Sequence, residues 1–564
     1  MTTLGPKVAT AAAIVMSALL VGPAGAQTSS QSETIVVAAP DTPFGQALAT
    51  QFGSRGAEAG IRSFYESHAY QPLWLSKKGK ATKAAEALIT WAENADAHGL
   101  PAARYATEAL RERLESARSG DPAGAAALEM ALTRLFLTYG SDLSSGLIEP
   151  RSANRSINVK PRRPVPEELL ASAAEASDMS TFLNSLAPND PSYARLVAVY
   201  AEMRQIAASG DWGPLVPKGK TLRPGDRSAR VPELRERLVA TGDLAPEERV
   251  ATGEVMNDAT APVSDPMVFD AALEAAVRRF QERHGLNTDG AVGPMTLAAV
   301  NTSAAERAKQ VAVNLERMRW LNYDLGARHI FINTAAFTMV MMENGETRFA
   351  TRAVVGKSAR KYQTPEFIDE LEYIVVNPYW NVPYSIASEE ILPELQKNPF
   401  HLADNNMELL GTDLPASQID WSQVTRGSFP GRIRQRPGAG NALGNVKFLF
   451  PNPYSIYMHD TPSRRLFARD RRAYSHGCVR LQDPIGFAHT LLSLQYADPV
   501  GTYDHLRSKN GEQWVTLDEK IPVYVSYRTT WQGDDGVYQF RADVYRRDRD
   551  VAAALAQAGV DLEN

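Results

Sequence analysis

Late in the chain His459 stands in YMHDTP, and His476 and Cys478 follow in YSHGCVRL. A thiol attacks a carbonyl only as its thiolate, and with a free pKa near 8.5 only a few per cent is ionised at neutral pH. It needs a base or a cation beside it. His459 ends a predicted strand, Ser455–His459, and Cys478 follows a turn containing glycine, which lets the two meet. The imidazole would then take the thiol proton and later return it to a leaving amine. Gly477 removes bulk beside the sulfur, so the amides of Gly477 and Cys478 can face a developing oxyanion. Arg480 offers a fixed positive charge for a carboxylate. Three plainer readings compete: a small buried hydrophobe, zinc ligation by His459, His476 and Cys478, and a thiol paired with another chain. A structural zinc site usually takes four ligands with several thiolates, and neither CxxC nor HExxH occurs.

Cys478 is the single cysteine in 564 residues, so the chain has no intramolecular disulfide. Sixty Lys and Arg stand against 65 Asp and Glu, a net charge of -5 that gives no reason to expect nucleic acid. With 44% hydrophobic and 22% charged residues the chain can bury real cores and is neither collagenous nor largely disordered. At about 150 residues per domain, roughly four domains are expected. Lys7, an apolar run from Val8 to Gly22, and Ala24-Gly25-Ala26 follow the order of a secretory signal cut after Ala26. The run is shorter than the roughly 20 residues a membrane span requires, and no later segment is long and apolar enough. The mature protein is therefore expected outside the cytoplasm without a transmembrane anchor. A free thiol there is exposed to oxidation, so its presence asks for a use.

The elements that must position these residues come in blocks. After the signal (1–26) and a Ser/Thr/Gln-rich leader (27–43), residues 44–223 read as a helical scaffold, with Ala81–Ala97 and Ala123–Leu143 as Ala/Leu-rich helices. Residues 224–303 read as a small helical module: Val231, Leu234 and Leu238 repeat at helical spacing. A polar insertion, Pro246–Pro266, follows, and Phe269, Leu273, Ala276, Val277 and Phe280 mark a second helix. A connecting helix (304–327) leads to a β-rich domain (328–520). Its strands include a hairpin around Asn344-Gly345, Tyr373–Asn377, Val446–Phe450 and Ser455–His459. The stretch 388–437, with Pro393, Pro399, Pro415 and Pro430, is too long for a plain connection and reads as a lid-like insertion. The tail (521–564) gives two strands around Asp534–Gly536 and a helix, packing on the scaffold or the catalytic domain. The fold class expected is multidomain α+β.

Two resemblances sharpen this. RFQERHGLNTDGAVGPMTLAAVN is similar to the peptidoglycan-binding type 1 module, a three-helix domain; Phe280, Gln281, Gly285, Leu286, Asp289, Gly290, Val292, Gly293, Pro294 and Thr296 carry the match. H-x15-SHGCVRL, with GNALGNVKFLFPNPYSIYMHDTP before it, resembles the signature of the L,D-transpeptidase (YkuD) catalytic domain. With its scaffold, module and insertion, the whole mature chain resembles the large YcbB-like members. The resemblance implies Cys478 as acyl-accepting nucleophile and His459 as general base, oriented by a backbone carbonyl, with no triad role for Asp460. It implies Ser475, His476, Gly477 and Arg480 as oxyanion or substrate-binding positions. The implied reaction is 3→3 cross-linking of peptidoglycan: the thiolate attacks the third stem residue, a diamino acid, expels the terminal D-Ala of a tetrapeptide donor, and a second stem's amine resolves the thioester. No cofactor and no metal is implied. The implied partners are stem peptides and glycan strands, with other wall-synthesis proteins as further candidates, and the implied place is the periplasm. Hydrolysis as a carboxypeptidase or endopeptidase, attachment of a protein to peptidoglycan, and an inactive wall-binding protein stand as alternatives. Arg464, Arg465, Arg469, Arg471 and Arg472 would attract stem carboxylates or form a solvated loop, and Tyr379, Trp380, Tyr384 and Trp421 would line a cleft under the lid or pack in a core.

Overall fold

A computed structural model describes residues 40–52, 58–116, 120–246, 265–533 and 536–562. The expected signal, the leader through residue 39, and residues 247–264 of the polar insertion lie outside the described residues. No described helix is long and apolar enough to cross a membrane.

The N-terminal region is helical because its sequence supplies both caps and apolar faces. Thr82 and Asp121 accept from Ala85 N (3.3 Å) and Gly124 N (2.9 Å) at the starts of the Lys83–Glu93 and Pro122–Ser145 helices. Pro122–Ser145 runs through the middle of this region and buries Phe136, Tyr139 and Leu143 completely. The Lys83–Glu93 helix is shorter than expected: the chain tightens into a 3₁₀ turn at Ala95–His98, closed by Gly99 in the left-handed region.

The small module has three helices, Val231–Ala240, Ala271–Arg283 and Pro294–Val300, around Leu234, Leu238, Phe269, Val277 and Phe280. Its motif residues have physical work. The buried Gln281 amide donates to Asp289 Oδ1 (2.8 Å) and Ala291 O (2.9 Å) while accepting from Gly290 N (2.9 Å), which ties the turn to the preceding helix. Gly285 (φ +65°) ends that helix under the Arg541 side chain, where a Cβ would fall 2.4 Å from Nε.

Fourteen strands are described: β1 Arg328–Asn333, β2 Thr338–Glu343, β3 Glu346–Gly356, β4 Phe367–Val376, β5 Trp380–Asn381, β6 Met407–Leu410, β7 Arg432–Gln435, β8 Val446–Leu449, β9 Met458–His459, β10 Ala473–Ser475, β11 Val479–Leu481, β12 Gln513–Ser526, β13 Thr530–Gln532 and β14 Tyr538–Phe540. Nine form one sheet in the order β10-β3-β11-β9-β8-β4-β12-β1-β2. The long β3 pairs with β2 along Glu346–Arg352 and with β11 at Ala353–Val354, so the sheet curls back on itself and closes. Ile330, Met339, Val355, Ile374, Phe448, Met458 and Val523 fill its interior. The hairpin expected at Asn344-Gly345 forms, with both residues at positive φ, as a two-residue turn between twisted strands requires.

Two boundaries differ from expectation. β12 continues to Ser526 and pairs with both β4 and β1, so residues 521–526 belong to the main sheet rather than to the tail. An irregularity between Thr516 and Ile521, across Asp518-Glu519-Lys520, breaks the alternation that would have revealed one continuous strand. The insertion begins earlier than residue 388: β5 joins β7 and β6 in a separate three-stranded sheet over its own core of Val382, Leu392, Leu395, Trp421 and Ile433.

A buried helix, Ala304–Trp320, joins the parts. Glu316 on it holds Arg319 (2.8 Å), Trp320 Nε1 (2.9 Å) and Ile148 N (3.0 Å) on the scaffold side. Arg317 reaches the other way, to Glu366 (2.8 Å) ahead of β4 and Asp548 (3.3 Å) in the Arg547–Gln557 helix. Burial pushes Asp548 up, against the pull of Arg317.

Candidate functional site

β9 and β11 run parallel as neighbours, with Met458 opposite Val479 and His459 opposite Arg480. That register brings His459 and the segment just before Val479, which ends at Cys478, to one edge of the closed sheet. The turn ahead of β11 is held by its own side chain: Ser475 Oγ donates to Cys478 O (2.6 Å) and accepts from Gly477 N (3.1 Å). Gly477 lies at φ +130°, and a Cβ there would come within 2.9 Å of Ile456, so only glycine fits this conformation. Thr364, fully buried, donates to Gly477 O (2.6 Å) and accepts from Gly356 N (3.0 Å). The amides of Gly477 and Cys478 are expected together as oxyanion donors. The Gly477 N–H is already spent on Ser475 Oγ, which leaves only that of Cys478 without a partner among the described residues.

His459 is 4% exposed, and its Nδ1 meets the carbonyl of Asp460 at 2.5 Å. An Nδ1–H donating there leaves Nε2 as the acceptor. Burial pushes the imidazole down to about 3, helped by the positive charges of Arg480 and Lys447, so it is neutral. Asp460 turns elsewhere: its carboxylate binds Arg464 (2.5 Å), Asn445 N (2.8 Å) and Thr461 N (2.6 Å). The Cys478 thiol donates to Ser455 O (3.6 Å), and among the described residues no hydrogen bond joins it to His459. Burial pushes the thiol up to about 11, outweighing Tyr457 and the Arg480 guanidinium, which favour the thiolate. The resting pair is therefore neutral thiol beside neutral imidazole. Arg480 itself is pulled down by burial, and its Nε is buried without a hydrogen-bond partner.

A pH experiment reads this directly. With the thiol at about 11, the thiolate at pH 7 is roughly one part in 10⁴, and alkylation of Cys478 by iodoacetamide should climb about tenfold per pH unit from 7 to 10. A plateau reached already by pH 7 would mark a preformed thiolate–imidazolium pair and contradict the geometry.

The insertion closes over the same edge. Residues 384–397 form one helical run with a π turn at Ala387–Ile391, which carries Glu389 and Glu390. Glu390 meets His476 Nε2 (2.6 Å), and Glu389 holds Lys361 (2.7 Å) and Arg426 (2.9 Å). His476 also stands near Lys357 Nζ (3.3 Å) and meets the Tyr362 ring edge-on at 4.7 Å. Thus the structure places His476 against the insertion, two residues from the thiol.

Other sequence candidates divide. Trp421 is buried in the insertion core with Nε1 on Ala416 O (2.8 Å), and Arg434 covers Tyr379 at 4.3 Å, so neither lines an open cleft. Trp380 packs on that core, while Tyr384 stays half exposed with its hydroxyl on Arg426 O. Arg472 is buried among the carbonyls of Ala336, Phe337, Ala353 and Arg469, where it supports the sheet rather than a ligand. Arg464 is spent on Asp460 and Gln482 O, and Arg471 on Ser358. Thr364, Tyr457, Lys357 and Glu390 were not anticipated. Tyr457 had a local signal, two residues before His459; Thr364 and Glu390 act across 113 and 86 residues and had none. Among the described residues no three His, Cys, Asp or Glu side chains come together to hold a metal ion.

Comparison with known proteins follows the same partition. Residues 327–517 match the family model of the L,D-transpeptidase catalytic domain, residues 227–300 the model described as "Putative peptidoglycan binding domain", and residues 59–199 a scaffold domain. A protein of Haemophilus influenzae named "Putative L,D-transpeptidase" is 32% identical over 258 residues, 45% of this chain and 50% of that protein. The N-acetylmuramoyl-L-alanine amidase CwlM of Mycobacterium tuberculosis is 44% identical over 87 residues, 15% of this chain and 20% of that protein. The chain thus spans half the length of the first relative and a fifth of the second. A solved L,D-transpeptidase structure from Stackebrandtia nassauensis aligns at 12% identity over 56% of this chain and 98% of that one, with a TM-score of 0.20.

Proposed function

We propose, from the premise that this chain carries an L,D-transpeptidase catalytic domain and a peptidoglycan-binding domain, that it forms 3→3 cross-links in peptidoglycan outside the cytoplasm through a thioester on Cys478. The observation that carries the reading is the β9–β11 register: it sets a buried histidine, its Nδ1 fixed by a backbone carbonyl, on the strand beside the turn that ends in the free thiol. Proton transfer requires the Cys478 side chain to leave Ser455 O and turn toward Nε2 of His459. Because the thiol is raised and the imidazole lowered, proton transfer and attack occur together rather than through a stored ion pair.

As Sγ bonds to the carbonyl carbon of the third stem residue, its proton passes to His459 and negative charge develops on the carbonyl oxygen, toward the free amide of Cys478. The amide bond to the terminal D-Ala breaks, and His459 returns the proton to the departing amine. The side-chain amine of a second stem then attacks the thioester and gives its proton to His459. The sulfur leaves and takes the proton back. One amide replaces another, so no external energy source is needed. The insertion reaches the site through Glu390 on His476, two residues from the thiol.

The test is mass spectrometry of the full chain with a disaccharide-tetrapeptide. A Cys478 adduct lacking the terminal D-Ala, followed by dimers, is the expected result. Tripeptide without dimers would replace cross-linking with hydrolysis, and no adduct would overturn both readings.

A further inference from the structure

Three parts of the fold meet around a cleft of about 940 Å³ that the proposed chemistry does not use. The scaffold contributes residues 152–156, the small module His284–Leu286 and Met295, and the catalytic domain the Ser358–Arg360 loop, with the C-terminal segment 541–550 as floor. The cleft is preformed, because its walls are bonded to each other. Arg541 Nη1 donates to Arg283 O (2.8 Å), Asn287 N donates to Asp470 Oδ1 (2.6 Å), and His284 stacks on Phe540 at 5.7 Å.

Its charge is one-sided. Six arginines line it, Arg155, Arg360, Arg471, Arg541, Arg546 and Arg549, against Asp470, Asp543 and Asp550. Each acid is already satisfied inside the protein: Asp470 by Asn287 N, Asp543 by the Tyr527 hydroxyl (2.7 Å) and Arg547 N (2.9 Å), Asp550 by Asn154 (2.7 Å) and Arg549 (3.1 Å). Arg155, Arg360 and Arg546 are exposed, and among the described residues their side chains make no hydrogen bond or ion pair. Three unpaired guanidinium groups from three parts of the chain thus share one concave, prebuilt surface. A guanidinium fork matches a carboxylate in both shape and charge.

One loop links the cleft to the cysteine turn. Ser358 and Arg360 line the cleft, while Lys357, directly before them, donates its N–H to Ser475 O (2.8 Å), and Tyr362, two residues after Arg360, packs on His476. One loop is therefore a bank of the cleft on one side and a support of the Cys478 turn on the other. We propose that this cleft is a second peptidoglycan site, holding the free carboxylates of stems on a glycan strand that is not itself being acylated, with Arg155, Arg360 and Arg546 as its anion-binding groups. This deepens the transpeptidase reading and rests on it: the strand held here would present an acceptor stem beside the thioester.

The test measures binding of the full chain to insoluble peptidoglycan sacculi at low salt. The triple variant Arg155→Ser, Arg360→Ser, Arg546→Ser should bind about tenfold more weakly or worse, with an unchanged unfolding midpoint since none of the three has an internal partner. Lys77→Ser, Lys78→Ser, Lys80→Ser removes the same charge from exposed lysines elsewhere and should bind as the parent does. Sacculi whose carboxylates have been amidated with carbodiimide should bind the parent as weakly as the triple variant binds untreated sacculi. Undiminished binding by the arginine variant, equal loss in the lysine variant, or indifference to amidation would each overturn the proposal. Tighter arginine-dependent binding to polyglutamate than to sacculi would also overturn it and assign the cleft to an acidic protein. If the parent forms no adduct with soluble tetrapeptide yet binds sacculi through the arginines, the proposed cross-linking fails and the cleft stands as an anion site alone. If the adduct forms and arginine dependence is absent, the cleft alone fails.

Discussion

Replacing His459 by Gln is expected to slow acylation of Cys478 by roughly 10²- to 10⁴-fold, and Cys478→Ala to abolish it. Gln preserves most of the volume of a side chain that is 4% exposed, so the loss reports proton transfer rather than packing. The starting states make the dependence steep. With the thiol at about 11, attack without a base must draw on the small thiolate fraction. The His459→Gln enzyme should then recover about tenfold in rate for each pH unit above 7, while the parent, whose imidazole at about 3 is neutral throughout, should gain much less. Intact-mass kinetics of the adduct at several pH values give both numbers. A Gln variant within fivefold of the parent, or one with no pH rescue, would remove His459 from the proton path.

Glu366→Ala is expected to cost about 3–5 kcal/mol of stability, the usual consequence of removing one partner from a buried ion pair. Glu366 is bonded to Arg317 (2.8 Å) and Arg547 (3.3 Å), whose side chains are 2% and 0% exposed. Both would keep their charge, with only Asp548 near Arg317 to offset it. The damage should reach the site, because Arg547 also donates to Thr364 O (2.7 Å) and the Thr364 hydroxyl holds the Gly477 carbonyl. Denaturant unfolding and acylation rate should fall together, whereas the isosteric Glu366→Gln should lose less of both. A Glu366→Ala protein within 1 kcal/mol of the parent would show that the cluster contributes little.

What the sequence disclosed and what it hid follow from distance along the chain. Asn344-Gly345 announced its hairpin because the turn depends on the two residues themselves, and the helices that begin after Thr82 and Asp121 are equally local. The multidomain α+β class and the β-rich catalytic region were legible from changes of period. The cysteine turn was legible because Ser475, Gly477 and Cys478 bond within four residues. Closure of the sheet was not, since it depends on β3 serving two neighbours at once. Nor was the spent Gly477 amide, because glycine's type gives no sign of what its N–H meets. Arg472 misled for a related reason: a charged side chain reads as exposed unless the carbonyls awaiting it can be seen.

The segment from Thr529 to Asp550 bonds to almost every other part of the molecule. Thr529 N and Arg541 O meet Asn314 and Gln310 on the central helix, Arg541 grips the module, Arg547 grips β4's approach, and Asp550 holds Asn154 from 396 residues away. Ribosomes make these residues after nearly everything they fasten. Early helices and the sheet can collapse as they emerge and first dock through the central helix and the pairing of residues 156–158 with Glu366, while the contacts of this segment fasten them last. The bond between Asp550 and Asn154 then closes a loop of 396 residues, the kind of long-range contact that forms late.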